Sequence, residues 1–293
     1  MKKERPLSPK DAQKIIDELN SLDLNVADYS YIKNLVLKLK IGIQFKGGIT
    51  NSRHRFYRGI IYDEKPLLTK LLSYPPSNRV TNFQRANPPR QPMFYCSVNP
   101  GIPFFELEPS PGEKLYLSKW SVHNPFGAVT VDFFEDDSYL ARFIKSFYQS
   151  KLSQKVHGTI STGYKISCAI AESISFGTIT DDLGRKKSEM GAISYPSERM
   201  KSHQENVAIR PEIVDTCLNL DYVEEYIIKN IERDKIYHDK LDFANEFPNG
   251  NINWKGRQSY LAVAKNAGDF FKVEIENFGW VVRDKDGNIL DPV

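Results

Sequence analysis

Cysteine is scarce in this chain, which contains only Cys96, Cys168 and Cys217. They are far apart and odd in number, so neither a disulfide framework nor a zinc-binding spacing can be derived from them. We expect three buried thiols in a reducing compartment, and no bound metal.

An excess of charge of one sign is also missing. The 40 lysines and arginines nearly balance the 37 acidic residues, which leaves a net charge of +3. A dedicated nucleic-acid-binding protein usually has a stronger basic excess, although the balance is compatible with a local basic patch. No apolar run approaches the roughly 18 residues of a membrane span, and no apolar stretch follows the basic start. We therefore expect a cytoplasmic protein without a membrane partner.

The helical patterns begin near the N-terminus. Residues 8–41 predict a helical hairpin, with Ser8 as the N-cap, Pro9 in the first turn and Asp11 completing the cap of the first helix. Asp28 is suited to cap the second helix. Amphipathic patterns predict two further helices over residues 137–152 and 164–175.

Short strand-like segments dominate the rest of the chain, at 55–62, 93–98, 113–122, 191–197, 206–211 and 223–231. Mixed with the helices, they indicate the α+β class. Residues 270–290 predict a β-hairpin whose final turn is Asp286-Gly287. We predict three parts: an N-terminal helical extension over 1–44, a main domain over 45–232 and a C-terminal extension over 233–293.

The stretch FQRANPPRQPMFYCSVNPGIPFFELEPS, residues 83–110, combines Arg85, Tyr95 and Glu106 on a segment stiffened by prolines. An arginine presents a planar fork of donors that matches a phosphate, a tyrosine presents a flat ring, and a carboxylate stabilises positive charge. A nicotinamide dinucleotide offers phosphates, an aromatic ring and a ribose. The same three residues also fit ordinary structural roles, as a surface ion pair, a core ring and a helix-start charge.

The same stretch resembles the signature of the RES family of bacterial toxins, through Arg85, Asn87, the prolines 88–89, Tyr95 and Glu106. An earlier family arginine is similar to Arg58 in FYRG. The family serine matches Ser197 in GAISYPSERM, with Ser194 as the runner-up, and Asn206 matches the strand that follows. The likeness covers roughly residues 50–230. Many members have a glycine after the double proline, where this chain has Arg90.

This resemblance implies an ADP-ribosyltransferase-like fold of two small packed sheets. It also implies an enzyme that consumes NAD as its substrate by cleaving the nicotinamide–ribose bond, with water or phosphate as the acceptor. Arg58, Arg85, Asn87 and Asn206 would bind NAD, and Tyr95 would stack on the nicotinamide. Glu106 would stabilise the oxocarbenium ion, and Ser197 would form hydrogen bonds within the site. A helix-turn-helix antitoxin is the implied partner, and homo-oligomerisation stays open.

Two other functions remain open from the sequence. The terminal extensions and the basic cluster around His54 fit transfer of ADP-ribose to a protein or RNA. A non-enzymatic interaction module is the third hypothesis, which the presence of all the matched residues argues against. Glu108 competes with Glu106 for the acidic role, because the two would share a face on a strand but not on a helix.

Overall fold

A computed structural model describes most of the chain. The described residues are 7–40, 45–134, 138–154, 156, 158–175, 178–180, 186–196, 205–232, 235–256, 271–276, 279–284 and 289–290. Ser197 and the predicted turn at Asp286-Gly287 lie outside these residues. In the part of the chain that is described, no helix is both long and apolar enough to cross a membrane.

The structure contains six α-helices and thirteen strands among the described residues. The helices are α1 Pro9–Ser21, α2 Tyr29–Lys40, α3 Ile102–Glu106, α4 Tyr139–Ser153, α5 Lys165–Ser175 and α6 Pro211–Cys217. The strands are β1 Phe45–Ile49, β2 Arg55–Ile61, β3 Phe94–Ser97, β4 Lys114–Val122, β5 Gly127–Phe134, β6 Thr178–Thr180, β7 Lys186–Pro196, β8 Glu205–Ile209, β9 Leu218–Glu232, β10 Lys235–Ala244, β11 Phe271–Glu276, β12 Gly279–Asp284 and β13 Ile289–Leu290. The α+β class predicted from the sequence is confirmed.

The chain forms two compact units, and each unit draws on three separate stretches. The first unit comprises Met1–Arg55, Ser73–Val98 and Ser121–Asn219, and the second comprises Phe56–Leu72, Asn99–Trp120 and Leu220–Val293.

The predicted helical hairpin is confirmed, together with its caps. Ser8 accepts a hydrogen bond from the backbone N–H of Asp11 at 3.2 Å, and its hydroxyl donates to the Asp11 carboxylate at 2.6 Å. Asp28 accepts from the backbone N–H of Tyr31 at 3.0 Å and so caps α2. Because these contacts are only three residues apart, they form from local sequence alone.

In the first unit, strands run in the order β1-β5-β7-β8-β3. The β5–β7 pair is parallel, and the other pairs of this order are antiparallel. Helices α1, α2, α4 and α5 contribute to one core with the sheet face that carries Ile193, Tyr195 and Ala208. The N-terminal hairpin is therefore part of the core of this unit.

The second unit contains the strand order β2-β4-β9-β10 and a separate three-stranded antiparallel sheet, β11-β12-β13. Its core gathers Phe104, Leu115, Leu117, Tyr226 and Ile228. The third strand of the small sheet extends the hairpin that the sequence predicted over 270–290.

The sequence patterns did not predict strands β1, β5, β6 and β10 or helices α3 and α6. Helix α3 has only five residues, too few to show a helical period. Strand β5 is paired in parallel with β7, far along the chain, so its main stabilising contacts are not local.

Candidate functional site

Arg85 is the central residue of the candidate site in the first unit. Its guanidinium carbon lies 5.4 Å from the centre of the Tyr195 ring and 6.0 Å from that of Tyr164. Both distances fall within the range of a cation–π interaction, which orients a guanidinium against an aromatic face. Two rings therefore restrict the position of a group that suits phosphate or carboxylate.

The segment that carries Arg85 is fixed by its own hydrogen bonds. The backbone N–H of Gln84 donates to the carbonyl of Asn87 at 2.9 Å. The Tyr95 hydroxyl accepts from the backbone N–H of Ala86 at 2.9 Å and donates to Asn87 Oδ1 at 2.6 Å. Asn87 is almost fully buried. Residues 84–87 thus form a closed turn that is attached to strand β3 through one phenol.

The Tyr95 hydroxyl stays protonated over the physiological pH range. Burial raises the pKa of Tyr95 well above its ordinary value, and Tyr195 raises it further, while the Ala86 N–H and Arg85 act in the opposite direction. A protonated phenol retains the hydrogen that it donates to Asn87. Tyr95 is therefore a structural anchor of the Arg85 turn, a role that the sequence did not indicate.

Register places Asn206 on the same sheet face as Tyr95 and Tyr195. Asn206 is the partner of Tyr195 on β7 and of Ser97 on β3. Ala208, two residues along, is the partner of Tyr95. Residues two apart on a strand share a face, so Asn206 lies on the face that includes Tyr95 and Tyr195.

Ser194, the runner-up for the family serine, lies on the opposite face of β7. It neighbours Tyr195 in sequence and is paired with Val207 rather than with Asn206. Its hydroxyl is buried and has no hydrogen-bond partner among the described residues. The structure therefore does not bring Ser194 to the sheet face of Tyr95, and Ser197 lies outside the described residues.

Arg58 and Glu106 belong to the second unit, where β2 and α3 are in direct contact. A Cβ atom built on Gly59 would lie 2.8 Å from Cβ of Pro103 and 2.7 Å from Cδ1 of Leu107. Only a glycine lets α3 approach β2 so closely. Glu106 is the last residue of α3 and is exposed.

Alternation along β2 separates Arg58 from the face covered by α3. Tyr57 packs against the core cluster that contains Phe104, and Gly59 contacts α3, so Arg58 shares the other face with Phe56 and Ile60. The carbonyl of Arg58 accepts from the Ser118 hydroxyl at 3.0 Å, which fixes the backbone here. Glu108 follows in a left-handed conformation, with φ of 48°, so it is not on a strand with Glu106.

Phe104 anchors helix α3 in the core of the second unit. Its ring stacks on that of His238, with centroids 4.7 Å apart and planes 17° apart, and meets Tyr226 edge-on at 5.3 Å. Burial lowers the pKa of His238, partly offset by Asp239 and Glu224. A neutral imidazole therefore supports the helix that ends at Glu106.

Sequence reasoning missed Tyr164 and Tyr195 as neighbours of Arg85. The only available signal was their aromatic character, because Tyr164 precedes α5 and Tyr195 lies on β7. Comparison with protein-family models and with curated proteins gave no match.

Proposed function

We propose that this protein is an NAD-cleaving enzyme, similar in chemistry to the RES-family toxins, that releases nicotinamide and depletes NAD. The observation that carries the proposal is the guanidinium of Arg85, placed against two tyrosine rings on a turn fixed by Tyr95 and Asn87. A pre-positioned guanidinium is suited to bind the pyrophosphate with little ordering cost on binding. The RES-like order of the matched residues supports the same substrate.

The proposed reaction breaks the bond between the ribose C1′ and the nicotinamide nitrogen. The bonding electrons leave with the nitrogen, which becomes neutral, and the ribose carbon becomes an oxocarbenium ion. A water molecule adds through its oxygen and loses a proton to solvent, or an oxygen of phosphate adds instead. Nicotinamide is positively charged before cleavage, so the leaving group needs no general acid.

In this proposal Glu106 provides negative charge for the oxocarbenium ion, as carboxylates do in glycoside cleavage. Asn206 would add a hydrogen-bonding amide on the sheet face of Tyr95 and Tyr195. Arg58 would bind the dinucleotide as a second cation. An ADP-ribosyltransferase-like fold is part of the same proposal, as are an antitoxin partner and the cytoplasm as the place of action.

The test is to incubate the purified protein with NAD, with and without phosphate, and to measure free nicotinamide. We expect release by the wild type and a loss of at least about a hundredfold in Glu106→Gln, since one electrostatic contact to a developing charge contributes on this order. Glu113→Gln is the matched control. Glu113 belongs to the same unit as Glu106, and its carboxylate accepts a hydrogen bond from the backbone N–H of Ser110.

No release by the wild type under either condition would refute the proposal. Nicotinamide release by Glu106→Gln at the wild-type rate would show that Glu106 takes no part in the reaction. Labelled NAD added to a cell lysate separates hydrolysis or phosphorolysis, which leave the label in small products, from transfer to protein or RNA.

A further inference from the structure

The α1–α2 hairpin contacts the segment before α5 and α5 itself through a row of polar contacts. Asn25 accepts from the Thr162 hydroxyl at 2.8 Å, and the carbonyl of Ala27 accepts from Lys165 Nζ at 2.8 Å. Farther along, the Tyr29 hydroxyl donates to Glu172 at 2.5 Å. Successive hairpin residues thus meet successive residues of the α5 region.

Tyr29 is the most constrained member of this row. Its hydroxyl also contacts the Cys168 sulfur at 2.9 Å, and Lys33 forms an ion pair with Glu172 at 3.2 Å. Burial raises the pKa of Tyr29, and Cys168 and Glu172 raise it further, so the phenol keeps its proton and remains a donor. Glu172 and Cys168 are both buried, which favours a single position of the Tyr29 ring.

The Tyr29 ring connects this network to the segment that carries Arg85. Its centroid lies 4.9 Å from that of Phe83, with the planes tilted by 59°. The ammonium of Lys165 lies 5.8 Å from the centroid of the same Phe83 ring. Phe83, which precedes Arg85 by two residues, is thereby held between the hairpin and the start of α5.

The start of α5 contacts both Phe83 and Arg85. Lys165 contacts Phe83, and the preceding residue, Tyr164, provides one of the two rings against Arg85. Displacement of the hairpin would therefore affect Arg85 in two ways. It would move Phe83, which precedes Arg85 by two residues, and it would move the start of α5, where Tyr164 contacts Arg85.

We propose that Tyr29 is a positioning residue for Arg85, and that the N-terminal hairpin sets the affinity of the Arg85 site through the Tyr29–Phe83 ring contact. This inference rests on the proposed NAD-cleaving function. Tyr29 touches neither substrate nor reacting atoms in this scheme; it restricts the Arg85 turn before the dinucleotide binds.

Kinetics with NAD test the proposal. In Tyr29→Leu we expect KM for NAD to rise about tenfold with kcat nearly unchanged, because the loss is in binding that ground state and transition state share. Tyr29→Phe keeps the ring and should stay within about threefold of the wild-type KM. Phe83→Leu, which removes the other ring of the contact, should reproduce the effect of Tyr29→Leu.

Tyr31→Leu is the matched control. Tyr31 lies on the same helix, is 44% exposed, and its hydroxyl donates to Glu18 of α1. It should leave KM unchanged. A wild-type KM in both Tyr29→Leu and Phe83→Leu, or a fall of kcat with unchanged KM, would overturn the proposal.

Hydrogen exchange of the Gln84 and Ala86 amides gives a readout that does not require activity on NAD. Both amides are hydrogen-bonded within the Arg85 turn. We expect faster exchange at these two amides in Tyr29→Leu and not in Tyr31→Leu; equal rates would contradict the positioning role. If the wild type does not cleave NAD, the proposed function fails while this measurement still decides the role of Tyr29.

Discussion

The Arg85 guanidinium lies 5.4 Å from the centre of the Tyr195 ring, although the two residues come from a loop and from the distant strand β7. A planar cation over an aromatic face is oriented as well as attracted. The contact therefore presents the donors of Arg85 in a limited set of directions.

Arg85→Lys should show that this geometry matters beyond the positive charge. A lysine keeps the charge but loses the planar fork, so we expect KM for NAD to rise about tenfold or more. Arg79→Lys is the control, because Arg79 is an exposed arginine of the same unit. Similar KM values in the two variants would mean that Arg85 does not bind the substrate through its fork.

Arg90 occupies a left-handed conformation, with φ of 65°, directly after the double proline. Side chains other than glycine are strained there by about 1 kcal/mol. Arg90→Gly should therefore raise the free energy of unfolding by about 0.5–1 kcal/mol, measured by urea denaturation. A loss of stability of similar size would show that the Arg90 side chain makes compensating contacts.

Two buried serines should respond differently to replacement by alanine. Ser118 accepts from Trp120 Nε1 at 2.9 Å and donates to the Arg58 carbonyl. Ser118→Ala therefore leaves the Trp120 N–H and the Arg58 carbonyl without this partner. We expect a loss of about 1–3 kcal/mol in the free energy of unfolding. The Ser194 hydroxyl has no hydrogen-bond partner among the described residues, so Ser194→Ala should change stability by less than about 1 kcal/mol. Equal losses would contradict the assigned contacts.

His238 should make stability depend on pH on the acid side. Burial lowers its pKa below the ordinary 6.5, so the unfolded chain takes up a proton at a higher pH than the folded chain does. His238 therefore contributes stability that is fully present above pH 6.5 and is lost as the pH falls through the lower pKa of the folded state.

Urea denaturation of the wild type and His238→Phe at a series of pH values measures this dependence. The variant keeps an aromatic ring against Phe104 and should lose the part of the pH dependence that His238 causes. His123→Gln, which changes an exposed histidine, should behave like the wild type. An unchanged pH profile in His238→Phe would rule out His238 as the source.

Local patterns were sufficient to predict several helices and strands. The caps at Ser8 and Asp28 and the apolar periodicity gave α1 and α2, and alternation gave β2, β3 and β4. The closed turn at residues 84–87 was not predicted, although its residues are close together in the sequence.

Contacts between distant residues could not be predicted in the same way. The rings of Tyr164 and Tyr195 reach Arg85 only because β7 and the start of α5 are placed by the folded core. The apolar faces of the hairpin did not indicate which surface buries them. Alternation also could not show that Ser194 lies away from Tyr95 until the register of β7 and β8 was known.

The division into two units made of interleaved stretches has a consequence for biosynthesis. The chain passes between them five times, and the last stretch of the first unit ends at Asn219. A ribosome must therefore deliver about three-quarters of the polypeptide before the first unit has all its strands. Premature termination upstream of β8 would leave no finished sheet in that unit, and no single protease cut could release either unit as one uninterrupted fragment.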